Sequence, residues 1–201
     1  TTKGLWSYQL GSKQLTYLIA DLNFRNIYQD GEGNLWLGSY GHGCYVVHAG
    51  QYRQLPMDPK ERMTVVNSVF EDQKGRIWFS TNNGLLSAGK KPVLDFLFAG
   101  GREVIYSVYD KSDGLITSEF NGGGTPDKIW LPDGRVSIPS LKALVLFNPN
   151  DIPVAQLGHK VILDHVMVDG EPAAIGNPLN LPAGFRSVLL FVSTPWTLKP
   201  E

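Results

Sequence analysis

Gly33-Asn34-Leu35-Trp36-Leu37-Gly38-Ser39 returns 42 residues later as Gly75-Arg76-Ile77-Trp78-Phe79-Ser80-Thr81. The echo extends outward. Ile27-Tyr28-Gln29-Asp30 before the first copy answers to Val69-Phe70-Glu71-Asp72 before the second, and Gly43-Cys44-Tyr45 after it answers to Gly84-Leu85-Leu86. A fixed period of this size, made of short apolar runs and glycine turns, is the sign of β-propeller blades. Asp-x-x-Gly between alternating runs predicts a hairpin whose aspartate caps the turn while glycine takes a positive φ, so Asp30 to Gly33 and Asp72 to Gly75 are turns. In the next strand Leu35 and Leu37 share one face and Trp36 takes the other, as do Ile77 and Phe79 against Trp78. A strand apolar on both faces needs cover on both, which stacked blades provide. Each unit reads as a four-stranded meander.

The chain has 201 residues, 42% apolar and 18% charged, enough to bury a core without long disordered stretches. A formal charge of −1 gives no basic face for nucleic acid. No apolar run approaches the roughly 18 residues of a membrane span. Cys44 is the single cysteine and sits where the second copy has Leu85, so it reads as a small buried hydrophobe, not a reactive thiol.

Gly4-Leu5-Trp6-Ser7-Tyr8 matches the glycine-led closing strand of a preceding blade. Residues 15–55 form one unit and residues 64–88 carry the next. The period then breaks: from Gly75 the next match is Gly134, at a spacing of 59. The 17 extra residues include Pro92 to Phe98 before Gly100-Gly101, which predicts a short helix between blades. Val104 to Tyr109 alternates as a strand. In the last unit Ser137 replaces the tryptophan and Ala143 the glycine, the mark of an atypical terminal blade. Beyond Pro149, Lys160 to Gly170 and Ser187 to Val192 read as strands of a second β domain with period-2 patterning. The expected fold is all-β: a partial β-propeller of about three four-stranded blades over residues 1–152, then a truncated Ig-like β-sandwich over residues 153–201. Too few blades are present to close a propeller, so the chain reads as a fragment of a longer protein or as one that closes by self-association as a dimer.

These repeats resemble the two-component regulator propeller family, whose units read about I-x-x-D-x-x-G-N-L-W-I-G-T-x-x-G-L. Asp30, Gly33, Asn34, Leu35, Trp36, Gly38 and Gly43 match it, as do Asp72, Gly75, Ile77, Trp78, Thr81, Gly84 and Leu85. The last unit is similar to that family's final blade in Tyr109-Asp110, Asp113-Gly114-Leu115, Asn121-Gly122-Gly123 and Phe147-Asn148-Pro149, and residues from Lys160 onward resemble the start of its triple-tyrosine domain. The later tyrosine-and-tryptophan segment of that domain is absent. The resemblance implies a periplasmic ligand-sensing region of a bacterial hybrid sensor histidine kinase or diguanylate cyclase receptor. A small molecule or oligosaccharide would be the ligand and the rest of the receptor chain the partner.

Candidate sites compete with structural roles. Asp30 and Asp72 recur at equivalent positions and are turn devices, not a general acid and base. Trp36 and Trp78 are packing groups. His42, His48, His159 and His165 lack metal-ligand spacing, so no metal is expected. Gly122-Gly123-Gly124 has no following Lys-Ser/Thr and reads as a bulged turn, and no cofactor is implied. The polar residues before the repeated strands are least explained by packing: Arg25 and Asn26, Asn67 and Ser68, Glu119 and Asn121. Inner propeller strands begin at the channel mouth, where binding groups concentrate. Tyr40, His42, Asn82 and Asn83 lie at the other reversal and are weaker candidates. A propeller enzyme, a lyase or glycosidase using Glu119, and a protein-binding scaffold are the alternatives to a non-enzymatic sensor.

Overall fold

The computed structural model describes residues 3–122, 124–154, 162–176 and 178–193. It divides into two compact units, Thr1–Ile152 and Pro153–Glu201. In the first, β1 (Gly4–Gln9) and β2 (Gln14–Ala20) form an antiparallel hairpin. Strands β3 (Phe24–Gln29), β4 (Leu35–Ser39), β5 (Cys44–His48) and β6 (Gln51–Gln54) make a four-stranded meander. A second contains β7 (Val66–Glu71), β8 (Arg76–Thr81), β9 (Gly84–Gly89) and, after helix α1 (Lys90–Phe98), β10 (Ser107–Tyr109). Strands β11 (Ile129–Trp130), β12 (Val136–Pro139) and β13 (Leu144–Phe147) form a three-stranded sheet.

Two complete blades are thus flanked by a hairpin and a three-stranded sheet, fewer full blades than the repeat count predicts, and the described residues are mostly β with one α-helix. The boundary at residue 15 also moves. Residues 14–20 pair with β1, Leu5 opposite Ile19 and Tyr8 opposite Leu15, so the first complete blade begins at Phe24. Glycine at the head of β1 and β9 is a matter of contact: a Cβ on Gly4 would lie 2.0 Å from the Ile19 carbonyl oxygen, and one on Gly84 2.6 Å from that of Tyr109. At both positions φ is positive as well, so no other residue fits.

The helix is not between blades in the chain. It is inserted between the third and fourth strands of the second blade, and Ser107–Tyr109 is that blade's outer strand, pairing with Leu85 to Ser87. In space it covers the seam between the two blades with Val93 and Leu97. Part of the lengthened period lies elsewhere: Phe120 stands five residues further from Gly134 than Val66 stands from Gly75.

Three apolar clusters fill three seams. Leu5 and Ile19 meet Phe24 and Leu37 of the first blade. Trp36, Cys44 and Val46 of that blade meet Ile77, Phe79 and Leu86 of the second. Phe70, Trp78 and Leu85 of the second meet Phe120, Val136 and Ile138 of the last sheet. Each second strand therefore sends its tryptophan to the following layer and its flanking apolar pair to the preceding one, as its alternation predicts.

The repeated aspartate holds both turn and indole. Asp30 Oδ1 accepts from the backbone N–H of Glu32 and Asn34, while Oδ2 accepts from Asn34 Nδ2 and from Trp36 Nε1 at 3.0 Å. Asp72 does the same with Lys74, Arg76 and Trp78, whose Nε1 lies 2.8 Å away. The last sheet keeps the turn, with Leu131 N–H donating to Arg135 O and Gly134 N–H to Leu131 O. There leucine stands at the aspartate position and serine at the tryptophan position, so the couple is lost as a pair.

In the second unit β14 (Ile162–Val168) lies between β15 (Glu171–Ala173) and β16 (Val188–Ser193). Asp169 and Gly170 both take positive φ, 51° and 90°, as a two-residue type I′ hairpin requires. Asp169 Oδ1 also accepts from the backbone of Arg186 and Ser187. This is one sheet; among the described residues no second sheet faces it, so the expected sandwich is represented by a single layer. Lys160 and Val161 lie outside the described residues.

Candidate functional site

The end of each blade where the inner strand starts is also the end where the second strand turns into the third. The two polar sets distinguished in the sequence therefore share one rim. Arg25 lies over the ring of half-exposed Tyr40, 4.7 Å from its centroid. Asn67 Nδ2 donates to Asn82 Oδ1 at 2.9 Å. Arg25 and Asn67 each occupy the register shift where their strand bulges against its partner, a device that re-aims a side chain.

The six candidate residues separate by burial. Asn26, Asn67 and Ser68 are buried, Arg25 is half-buried, and Glu119 and Asn121 are exposed. The buried amides span seams. Asn26 Oδ1 accepts from Val69 N–H of the second blade at 3.1 Å, and its Nδ2 donates to Asp127 Oδ2 at 2.7 Å. Asn67 Nδ2 also donates to Phe120 O of the last sheet at 2.9 Å. Each amide thus ties its blade to the next one, a role that single-blade patterning could not reveal because the partners lie 43, 53 and 101 residues away.

Ser68 occupies in the second blade the place of Asn26 in the first. It faces Ser80 across the strand pair, and neither hydroxyl finds a hydrogen-bond partner among the described residues. Such orphaned groups are uncommon in folded chains. Gly122 comes so close to Asn67 that an added Cβ would lie 2.2 Å from Asn67 Oδ1. Asp127 and Lys128, which sequence reading did not select, join this region: Lys128 Nζ is 3.1 Å from Asp127 Oδ2 and 5.7 Å from the centre of the Tyr28 ring.

Two concavities border the second blade. An open polar one of about 400 Å³ is lined by Asn82, Asp110, Lys111, Thr117, Ser118 and Glu119. An apolar cleft of about 340 Å³ lies between Trp78, Leu85 and Tyr109 on one side and Val145 and Phe147 on the other. Among the described residues no three of His, Cys, Asp and Glu gather as a metal site, and His159 lies outside them. Cys44 is buried, and burial pushes its thiol far above the usual range.

Opposite the rim, at the end that carries the aspartate turns, charged groups close the seams. Lys90 Nζ lies 2.7 Å from Glu71 and 3.2 Å from Glu32. Arg76 donates to Asp72 and to the Pro149 carbonyl.

No curated protein sequence matches the chain. In fold it resembles the extracellular domain assigned to a hybrid two component system of B. thetaiotaomicron, at 21% identity and a TM-score of 0.55 over 94% of this chain and 23% of that one. A second such domain from the same organism matches at 17% identity and a TM-score of 0.51, over 86% of this chain and 21% of that one. The chain therefore spans less than a quarter of the length of either. At these identities the likeness is one of fold. Residues 18–41 and 62–83, covering the inner strand, turn and second strand of both complete blades, match the family described as "Two component regulator propeller".

Proposed function

We propose that this chain is part of the periplasmic ligand-sensing region of a bacterial hybrid two-component receptor, with residues 153–201 opening a triple-tyrosine domain. The observation that carries this reading is the match of both complete blades to one regulator family, and the fold likeness to two extracellular domains supports it. The ligand, a small molecule or oligosaccharide, is met at the rim by Arg25, Glu119 and Asn121, with Asn26, Asn67 and Ser68 beneath them. Among the described residues neither the rim nor the concavities hold a nucleophile paired with a base, which favours binding over catalysis. The outward face of the β1–β2 hairpin, where Trp6 stacks on Tyr17 at 4.2 Å beside exposed Tyr8 and Leu15, supports association with a further blade, either of the receptor chain or of a second copy.

Titration calorimetry of the protein with a panel of oligosaccharides tests the reading. It expects saturable heat with one of them, reduced about tenfold or more in affinity by Asn121→Ala, the cost of an unpaired polar group. Absence of heat across the panel, together with a cytosolic position of the parent protein by protease accessibility, would sink it.

A further inference from the structure

The same backbone clasp occurs at the rim end of two seams. In the first, Gly43 N–H donates to Thr64 O at 3.1 Å; in the second, Gly84 N–H donates to Ser118 O at 2.7 Å. Two residues further on, Val66 pairs with Thr81 and Phe120 bridges to Ser140. Aligned on this clasp, Tyr40, Met63 and Val65 of the first seam correspond to Asn82, Thr117 and Glu119 of the second. Met63 is buried in the core cluster of the first seam, and Tyr40 bridges to Val65. The backbone is repeated while three aromatic or apolar side chains become polar, so the shared architecture does not account for the change.

All three polar replacements line the open concavity of about 400 Å³, together with Asp110, Lys111 and Ser118. Its walls are fixed to each other, since Phe120 N–H donates to Thr81 O and Asn82 Oδ1 accepts from Asn67 Nδ2. That bond leaves Asn82 Nδ2 as a donor. Thr117 is 7% exposed, and its hydroxyl oxygen accepts from Glu119 N–H at 3.2 Å, so its proton remains to be donated. Lys111 and Glu119 make no ion pair among the described residues, with each other or with any other group. Asp110 is engaged in capping its own turn, where Oδ1 accepts from Ser112 N–H. No aromatic or apolar side chain lines the concavity, so it offers no face on which a sugar ring could stack. An ammonium and a carboxylate that share one concavity without pairing, beside an amide and a hydroxyl donor, match a small solute that carries both charges. We propose that this concavity binds a free α-amino acid, with Lys111, Asn82 and the Thr117 hydroxyl receiving its carboxylate and Glu119 its ammonium group. This rests on the sensing role proposed above and gives its small-molecule branch a site and a chemistry.

Titration calorimetry of the protein with the common L-α-amino acids should find at least one that binds. Two derivatives of that amino acid then map its charges: the α-amide lacks the carboxylate and the N-acetyl form lacks the ammonium, and each should bind about tenfold or more weakly. Lys111→Met should weaken the amino acid to the same degree and no longer distinguish it from its amide, while Glu119→Gln should no longer distinguish it from the N-acetyl form. Both side chains are exposed, so the unfolding midpoint should stay where it is. A merely structural role would not produce this crossed loss of discrimination. Absence of binding by every amino acid, or binding indifferent to both substitutions, overturns the site. An oligosaccharide that binds through Lys111 and Glu119 while amino acids do not overturns the ligand class and leaves the sensing role standing. An amino acid that binds as described, in a protein whose parent proves cytosolic, upholds the site and removes the sensing role instead.

Discussion

The second complete blade and the last sheet share one hairpin register but differ in their cover. In the blade, Trp78 points into a seam filled by Phe120, Phe147 and Tyr109 and is fully buried. In the last sheet Ser137 takes that position, and on its face Leu144 and Leu146 are 67% and 44% exposed. The aspartate that would have received the indole N–H is gone as well. The Asp–Trp couple is therefore a device for a strand covered on both sides: a buried indole needs an acceptor, and a buried carboxylate needs donors. Where one side is uncovered neither need arises, and leucine and serine serve.

The largest effect that tests this contrast comes from Trp78→Ala. It should cost about 3–5 kcal/mol in chemical denaturation, because the cavity opens in a seam closed from both sides. A loss under about 0.5 kcal/mol, the scale of a surface substitution, would mean that the seam is solvated.

Asp72→Ala comes next, at about 2–4 kcal/mol, because it strips partners from two backbone N–H groups, the Trp78 indole and a buried guanidinium. Arg76 keeps its bond to the Pro149 carbonyl in that variant, so the seam at the aspartate end should persist. Hydrogen exchange would show this as protection retained in β12 while β8 loses it; equal loss in both would mean that the turn and the seam are one unit.

The turn itself was legible in the sequence, since Asp-x-x-Gly has local physics. The partner six residues on was not, because both aspartates were accounted for once the turn was capped. The helix was legible from Pro92 and Gly100, but its place in the blade was not: only the pairing of Val108 with Leu86 shows which strand it precedes. The rim was legible as a set of polar positions. Its division into buried ties and exposed contacts was not, because Asn26 and Asn67 find their partners in other blades. The longer interval from Phe120 to Gly134 was concealed by the larger insertion around the helix.

Acid should act on the first complete blade through the same couple. Burial pushes the Asp30 carboxyl up, but the hydrogen bonds from the Asn34 side chain, the Trp36 indole and the backbone of Asn34 and Glu32 outweigh it and hold it below the ordinary range. A carboxyl whose folded pKa lies below its unfolded value stabilises at pH above the unfolded value, and that contribution fades as pH falls through the folded one. Stability should therefore drop below about pH 4, the unfolded aspartate value. Asp30→Asn should flatten the slope in that window and lower stability at neutral pH. A variant as steep as the wild type between about pH 4 and 2 would assign the acid sensitivity to other carboxyls.

The smallest effect is the most discriminating. If the couple works because it is covered, transplanting it into the last sheet should gain almost nothing. Leu131→Asp and Ser137→Trp rebuild the spacing on the existing turn, whose backbone bonds already match those of the blades. Water reaches that face, so the indole and carboxylate would exchange solvent hydrogen bonds for each other at little net gain. The double-mutant cycle there should give a coupling below about 0.5 kcal/mol, against about 1–3 kcal/mol for Asp72→Ala with Trp78→Phe, where the same contact is buried. Equal couplings at the two sites would mean that the pair is a local motif indifferent to its surroundings, and that the serine and leucine of the last sheet need another explanation. A coupling in the last sheet that appears only at high protein concentration would instead mean that a second copy covers the exposed face, supplying there what the next layer supplies to Trp36 and Trp78.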